Sequence, residues 1–340
     1  MRSLSIRPLS IGTGSIDSIT QAALGGALGG VVLGKQLGRA ALVGGALLGT
    51  VPDLDVLIDY GSAVANFTQH RGFSHSLLVL VPLALVLGAV LHRWRPYISL
   101  ARWCMFTSLV LVTHPLLDAF TTYGTQLLWP LAGPAALHSI FIIDPFYTLP
   151  LLIACAIAAF RPKGQRALAV GLALSSVYLG WSFVGQQLIT QRVMPILVNE
   201  GLEHAPRLVQ PMPFSTLFWR ITVMGQHERL EITTGFLSNE SPAVERYARK
   251  PELALEVGQL QEGQRLVWFT RGFLEFDVRE GVLTATDIRL GLPGAHPFTF
   301  GLAERTAGRW APLPSYQLPR PEFDVAALAN RIVGLPPEDR

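Results

Sequence analysis

Six predominantly apolar runs fill the first 190 residues, at about 19–34, 40–52, 76–91, 99–120, 145–160 and 167–189, and charged residues fall mostly in the turns between them. A helix needs about 20 apolar residues to cross a bilayer. The longer runs therefore predict membrane spans, and the shorter ones predict helices that extend through a flanking turn or stop partway. The second run is short, and its end at Pro52 is followed at once by Asp53 and Asp55, which places two carboxylates at or below the membrane surface. In the first run Asp17 and Ser18 are suited to cap the helix start. Gly26, Gly30 and Gly34 follow Ala22 at four-residue intervals, a spacing that lets two membrane helices approach closely.

Beyond Pro195 the pattern changes. Alternating or β-rich stretches at 217–224, 229–236, 265–269, 273–278 and 282–290 are separated by glycines or charges, which predicts a small, mainly antiparallel sheet. A proline-spaced tail with Pro312, Pro314, Pro319, Pro321, Pro336 and Pro337 reads as extended. The expected architecture is an α-helical membrane domain of about six helices over 1–194, followed by a small, mainly-β extramembrane domain over 195–340.

Composition supports this division. Half of the chain is apolar and 15% is charged, with a mean hydropathy of +0.37. The net charge of +3 is unevenly spread: residues 1–194 hold twelve Lys/Arg against six acidic residues, and residues 195–340 hold fifteen against eighteen. No basic stripe of the kind nucleic acid requires is present. Cys104 and Cys155 both lie in apolar runs and imply no disulfide framework. The first fifteen residues lack the apolar core of a signal peptide. If the six runs alternate in direction, the turns with Lys35/Arg39, Arg93/Arg95/Arg102 and Arg161/Lys163/Arg166 share one side, which the positive-inside rule makes cytoplasmic. Asp17, Asp53, Asp55, Asp59, His70, His75, His114, Asp118, His138 and Asp144, with the C-terminal domain, then fall on the extracytoplasmic side.

Imidazoles and carboxylates gathered at one end of apolar helices call for a partner, because charge at membrane depth is costly. His114 and Asp118 are four apart and share a helix face. His70 and His75 flank Gly72, a turn that can bring them together, with Ser74 capping the helix that follows. Asp53 and Asp55, two apart, suit an extended or turn conformation after Pro52 better than a helix. A carboxylate at the carbonyl end of a helix opposes the macrodipole, and a bound cation reverses the sign. The candidate ligands are therefore Asp53, Asp55, His70, His75, His114 and Asp118. Zinc fits such a set best, with manganese or iron also admitted, and six ligands leave room for two metals sharing a carboxylate. Asp55 is the candidate general base and Arg71 the contact for an anionic substrate. Asp144-Pro145 has the form of an N-cap and first turn, and His204, His227 and His296 read as ordinary surface or turn residues.

Six motifs carry a resemblance: Asp17-Ser18-Ile19-Thr20-Gln21, Pro52-Asp53-Leu54-Asp55, His70-Arg71-Gly72-Phe73-Ser74-His75-Ser76, Thr113-His114-Pro115-Leu116-Leu117-Asp118, Tyr123-Gly124-Thr125-Gln126 and Ile143-Asp144-Pro145. In this order they resemble the inner-membrane metal-dependent hydrolases of the YdjM type, over roughly residues 17–150. The resemblance implies a multi-pass inner-membrane hydrolase. Many relatives have His where this chain has Gln21, and residues 195–340 look like an accessory extension. The activity expected is hydrolysis of an ester or phosphoester at the extracytoplasmic membrane surface, with membrane lipids as neighbours and a lipid or lipid-linked molecule as substrate. The alternative is a non-enzymatic membrane scaffold or regulator with a structural metal. A transporter fits less well, since the polar groups gather at one end and no repeat is visible.

Overall fold

The computed structural model describes residues 14–161, 164–237 and 240–320. It opens with a tight antiparallel hairpin of α1 (Gly14–Leu37) and α2 (Arg39–Gly49). Gly25 and Gly29 on α1 face Ala41, Gly45 and Gly49 on α2 so closely that a Cβ on Gly45 would overlap the Gly25 carbonyl. The stripe expected from the sequence, Gly26, Gly30 and Gly34, also lies at close helix contacts, on the adjacent face: Gly26 meets Leu42 and Ala46 of α2, Gly30 meets Leu42 and Leu168, and Gly34 meets Gln165. Both stripes repeat every four residues, and only the partner's own small residues select between them. Helix α1 already includes Gly14, so Asp17 and Ser18 lie within the helix and not just ahead of it.

A 3-10 turn (Pro52–Leu57), α3 (Ala63–Gln69) and a second 3-10 turn (Phe73–His75) lead into α4 (Leu77–Trp94) and α5 (Leu100–Ala119), then α6 (Pro145–Phe160) and α7 (Gln165–Asn199). Ser76 caps α4 by accepting the Leu78 N–H, the role expected of Ser74. Among the described residues Leu77–Trp94, Leu100–Asp118 and Gln165–Asn199 are long and apolar enough to cross a membrane, whereas Arg39–Gly49 and Pro145–Phe160 are apolar but shorter. Leu33, Ala41, Ile98 and Trp103 pack together, and Gln165 reaches Gly34, so the tips of the α1–α2, α4–α5 and α6–α7 hairpins meet at one end. Those tips carry Lys35, Arg39, Arg93, Arg95, Arg102, Arg161 and Arg166, while Lys163, Arg2 and Arg7 lie outside the described residues.

The opposite end carries two four-stranded antiparallel sheets. The first comprises β1 (Arg207–Pro211), β2 (Phe218–Met224), β3 (Glu228–Gly235) and β4 (Ala243–Ala248). It packs Trp219, Ile221 and Leu230 against Ile189, Val193 and Leu197 of α7, which continues through Pro195. Helices α8 (Pro251–Gln259) and α9 (Gln261–Thr270) then lead to β5 (Leu274–Arg279), β6 (Val282–Asp287), β7 (Thr299–Thr306) and β8 (Arg309–Gln317). The expected strand at 265–269 is helix α9. Its buried residues Gly263, Leu266, Phe269 and Thr270 recur at helical spacing, which five residues alone are too few to reveal. Pro312 and Pro314, read as tail, lie in β8, an edge strand where a missing N–H is tolerated. Pro321, Pro336 and Pro337 lie outside the described residues. The second sheet encloses Val64 and Phe67 of α3 together with Tyr123, so the C-terminal domain is built onto the helices' polar end.

Gly45→Leu, whose Cβ would overlap the Gly25 carbonyl, is expected to destabilise the protein by about 3 kcal/mol, the upper end of the usual cost of overpacking, or to abolish folding. Gly44→Ala, where the added Cβ meets nothing within 4 Å, should leave stability unchanged or raise it by up to about 1 kcal/mol. Thermal unfolding of the two variants in detergent checks this.

Candidate metal centre

Four side chains from three elements converge at the polar end. Asp53 comes from the first 3-10 turn, His75 from the second, and His114 and Asp118 from the last turns of α5. Each offers one ligand atom, and these atoms all lie within 4.8 Å of one another. His75 Nε2 is 3.1 Å from His114 Nε2, 3.2 Å from Asp118 Oδ2 and 3.5 Å from Asp53 Oδ1. His114 Nε2 is 3.4 Å from both Asp118 Oδ2 and Asp53 Oδ1. A tetrahedral ion with bonds of about 2.0–2.1 Å separates its ligand atoms by roughly 3.3–3.4 Å. Five of the six edges therefore match such an ion.

The surrounding hydrogen bonds fix which atoms face inward. His114 Nδ1 is 2.6 Å from the carbonyl oxygen of Gly49, which can only accept, so Nδ1 carries the proton and Nε2 presents its lone pair. Ser74 donates its single O–H to Asp55 Oδ2 at 2.6 Å, so the 2.9 Å contact between His75 Nδ1 and Ser74 Oγ is a donation from the imidazole. Its Nε2 likewise faces the cluster. Asp118 Oδ1 accepts from Gln21 Nε2 at 2.9 Å and lies 3.5 Å from Arg71 Nη1, while Asp118 Oδ2 is buried without a hydrogen-bond partner. The inward-facing atoms are thus all electron-pair donors, and only positive charge among them balances the arrangement. Burial pushes the His75 imidazolium toward losing its proton, but the carboxylates of Asp118 and Asp53 outweigh burial and raise its pKa. The same cluster that draws a proton draws a divalent cation. The donor set therefore fits a metal ion on geometry and on chemistry.

The six expected ligands divide into four and two. Asp55 and His70 stand beside the cluster, with His70 Nδ1–H donating to Asp55 Oδ1 at 2.8 Å. The cause is the 3-10 winding, with three residues per turn, which sends residues two apart in different directions. Asp53 points to His75 and His114. Asp55 points inward to Ser74 and to the Arg71 N–H, which it accepts at 2.8 Å. Burial raises the Asp55 carboxyl, but its bonds with His70 and Ser74 outweigh this and hold it ionised. Arg71 adopts a left-handed backbone at φ 60°, uncommon for a residue with a Cβ. It is held between Asp55 and the Gln126 N–H, which donates to the Arg71 carbonyl at 3.0 Å. Gly72 follows because a Cβ there would meet the Gln69 carbonyl at 2.7 Å. Tyr123 underlies both side chains: its ring lies 5.6 Å from His70 and 5.4 Å from the Arg71 guanidinium.

Asp144 lies apart from the cluster and caps α6 by accepting the Phe146 N–H, while also accepting from Tyr178. His296, read as a surface or turn residue, is buried, and burial with Arg220 nearby lowers its pKa to about 4. Sequence reasoning missed the contribution of Gln21, although it lay within a singled-out motif. It could not have found the Gly49 carbonyl, because a backbone oxygen leaves no residue-type signal.

The fold and the site define a helical membrane protein with a buried Asp/His cluster able to hold a cation. Residues 16–189, just over half of the chain, match the family described as YdjM inner membrane protein, and the chain belongs to that family. It is 27% identical over 223 residues to the uncharacterized protein YfhP of Bacillus subtilis (strain 168), covering 62% of this chain and 66% of YfhP. It is 36% identical over 115 residues to the inner membrane protein YbcI of Escherichia coli (strain K12), covering 33% of this chain and 66% of YbcI. No solved structure matches the chain.

His114→Ala is expected to abolish stoichiometric metal binding. Ser74→Ala, which leaves all four donors in place but removes the hydrogen-bond partner of His75 Nδ1, should weaken affinity by about 10- to 100-fold. Chelator competition on the purified proteins measures both.

Proposed function

We propose that this protein is a metal-dependent hydrolase of the inner membrane, cleaving an ester or phosphoester at the extracytoplasmic face. The observation that carries this reading is the composition of the cluster: two imidazoles and two carboxylates with no thiolate. Structural zinc sites are built mostly from cysteine, whereas catalytic ones favour histidine and carboxylate. A divalent cation held there, with zinc the best fit, supplies Lewis acidity to activate water and polarise the scissile group. Asp53, His75, His114 and Asp118 hold it, and Gln21 and Arg71 orient Asp118. Arg71 presents a fixed positive charge beside the centre for an anionic substrate. Both oxygens of Asp55 already accept hydrogen bonds, so Asp55 acts through His70, fixing that imidazole with its Nε2 lone pair outward as the proton acceptor. The basic hairpin tips at the far end support the orientation, which puts the site and the sheets outside the cytoplasm.

A second reading has its own support. Four donors at tetrahedral spacing can saturate zinc and leave a structural site. Cobalt substitution separates the two: azide should shift the visible spectrum of an open centre and leave a saturated one unchanged.

Removal of metal by a chelator should abolish hydrolysis of generic chromogenic esters or phosphoesters, and zinc or manganese should restore it. His75→Ala should be inactive even with metal added. Undiminished turnover by the metal-free protein would overturn the proposal.

A further inference from the structure

An exposed apolar stripe runs without a break from α2 into the 3-10 turn that carries Asp53. On α2 the edge Ala41, Gly45 and Gly49 packs on α1, and the opposite edge exposes Val43 and Leu47 (58% and 66%). The stripe continues through Val51 and Leu54 to Leu57, which is 76% exposed. The chain does not reverse between them. Thr50 and Val51 keep helical backbone angles, and the N–H groups of Thr50, Val51 and Leu54 donate to the carbonyls of Leu47, Leu48 and Val51. The helix tightens and goes on.

A winding of three residues per turn sorts this segment into three columns. Val51, Leu54 and Leu57 point outward, Pro52 and Asp55 are buried, and Asp53 shares the third column with exposed Val56. Asp53 is thus the ligand nearest the apolar surface, with a side chain 16% exposed where those of His75, His114 and Asp118 are sealed. On a second side Phe73, also exposed, pairs with Trp129 at 6.3 Å, an aromatic pair suited to a membrane interface. Counted from Arg39 at the basic end, α2 rises about 17 Å and the tighter winding to Asp53 adds about 8 Å. That reaches nearly across a hydrocarbon core of about 30 Å. In a family of inner-membrane proteins, a continuous Val/Leu column of that reach is suited to contact with acyl chains.

We propose that the metal centre opens sideways into the bilayer and takes as substrate a membrane amphiphile with an anionic headgroup, whose acyl chain lies along Leu47, Leu54 and Leu57 while its ester or phosphoester enters beside Asp53, toward the buried guanidinium of Arg71. The reaction rests on the hydrolase reading above; the route does not. Water adds across the scissile bond, its hydroxyl going to the acyl or phosphoryl group and its proton to the departing alcohol.

Full-length protein in phosphatidylcholine nanodiscs tests the route. With Cys104 and Cys155 changed to Ser, Leu47→Cys, Leu54→Cys and Leu57→Cys are each labelled with bimane. Quenching by doxyl-labelled phosphatidylcholine and not by iodide is expected. Quenching by iodide would show a water-facing stripe, and quenching by neither a stripe covered by a second protein copy; each overturns the proposal. The ligand class is read separately on the cobalt-loaded protein. Oleoyl glycerol phosphate should shift its visible spectrum, glycerol phosphate at the same concentration should not, and Leu54→Asp should lose the shift while retaining cobalt. Equal shifts with both compounds, or none with either, would contradict the substrate class. Spectral shifts without turnover of any ester would count against the hydrolase reading alone.

Discussion

Two imidazole nitrogens and two carboxylate oxygens are held face to face at 3.1–3.5 Å, and with the imidazoles neutral and the carboxylates ionised no hydrogen bond can form among them. Desolvated electron-pair donors at that distance repel unless positive charge stands between them. Rotation would relieve the repulsion, and rotation is what the surroundings prevent. The Gly49 carbonyl fixes His114, the Ser74–Asp55 pair fixes His75, and Gln21 with Arg71 fixes Asp118. Such outer bonds are what give a metal site its orientation.

Each restraint has a source in packing elsewhere. The Gly49 carbonyl reaches His114 because Gly25, Gly29, Gly45 and Gly49 bring α1 and α2 into backbone contact, and Gln21 lies on the same α1 edge, with its carbonyl beside Gly49. The loop of His70 and Arg71 is stapled by Gln126, whose backbone N–H donates to Arg71 and whose side chain donates to the Thr68 carbonyl. Behind that loop Phe67 packs against Tyr123, Phe269, Phe298 and Phe300, with ring centroids 4.8–5.3 Å apart. Phe269, Phe298 and Phe300 come from the C-terminal domain. Helix α9 and the start of β7 therefore buttress the site loop directly.

Much of the centre was legible because its chemistry is local. His114 and Asp118 share a helix face by spacing alone, and Asp53 and His75 stand out as charged groups at the ends of apolar runs. The separation of Asp53 from Asp55 was not legible, since it depends on whether the chain after Pro52 winds as a 3-10 turn or extends. The glycine stripe was ambiguous for a similar reason: Gly25/Gly29 and Gly26/Gly30 have identical spacing, and the sequence of one helix does not name its partner's face. In the C-terminal half, α9 escaped detection because Arg265–Phe269 is rich in residues that also favour strands, and its helical period emerges only over the ten residues from Gln261 to Thr270.

X-ray absorption at the metal edge of detergent-purified protein reads the Asp/His cluster itself. One tightly held divalent ion is expected, surrounded by two imidazole nitrogens and carboxylate oxygens, at about 2.0–2.2 Å if it is zinc, with no sulfur. A protein that purifies without metal and gains none on incubation, or a bound ion whose shell lacks imidazole, would contradict it.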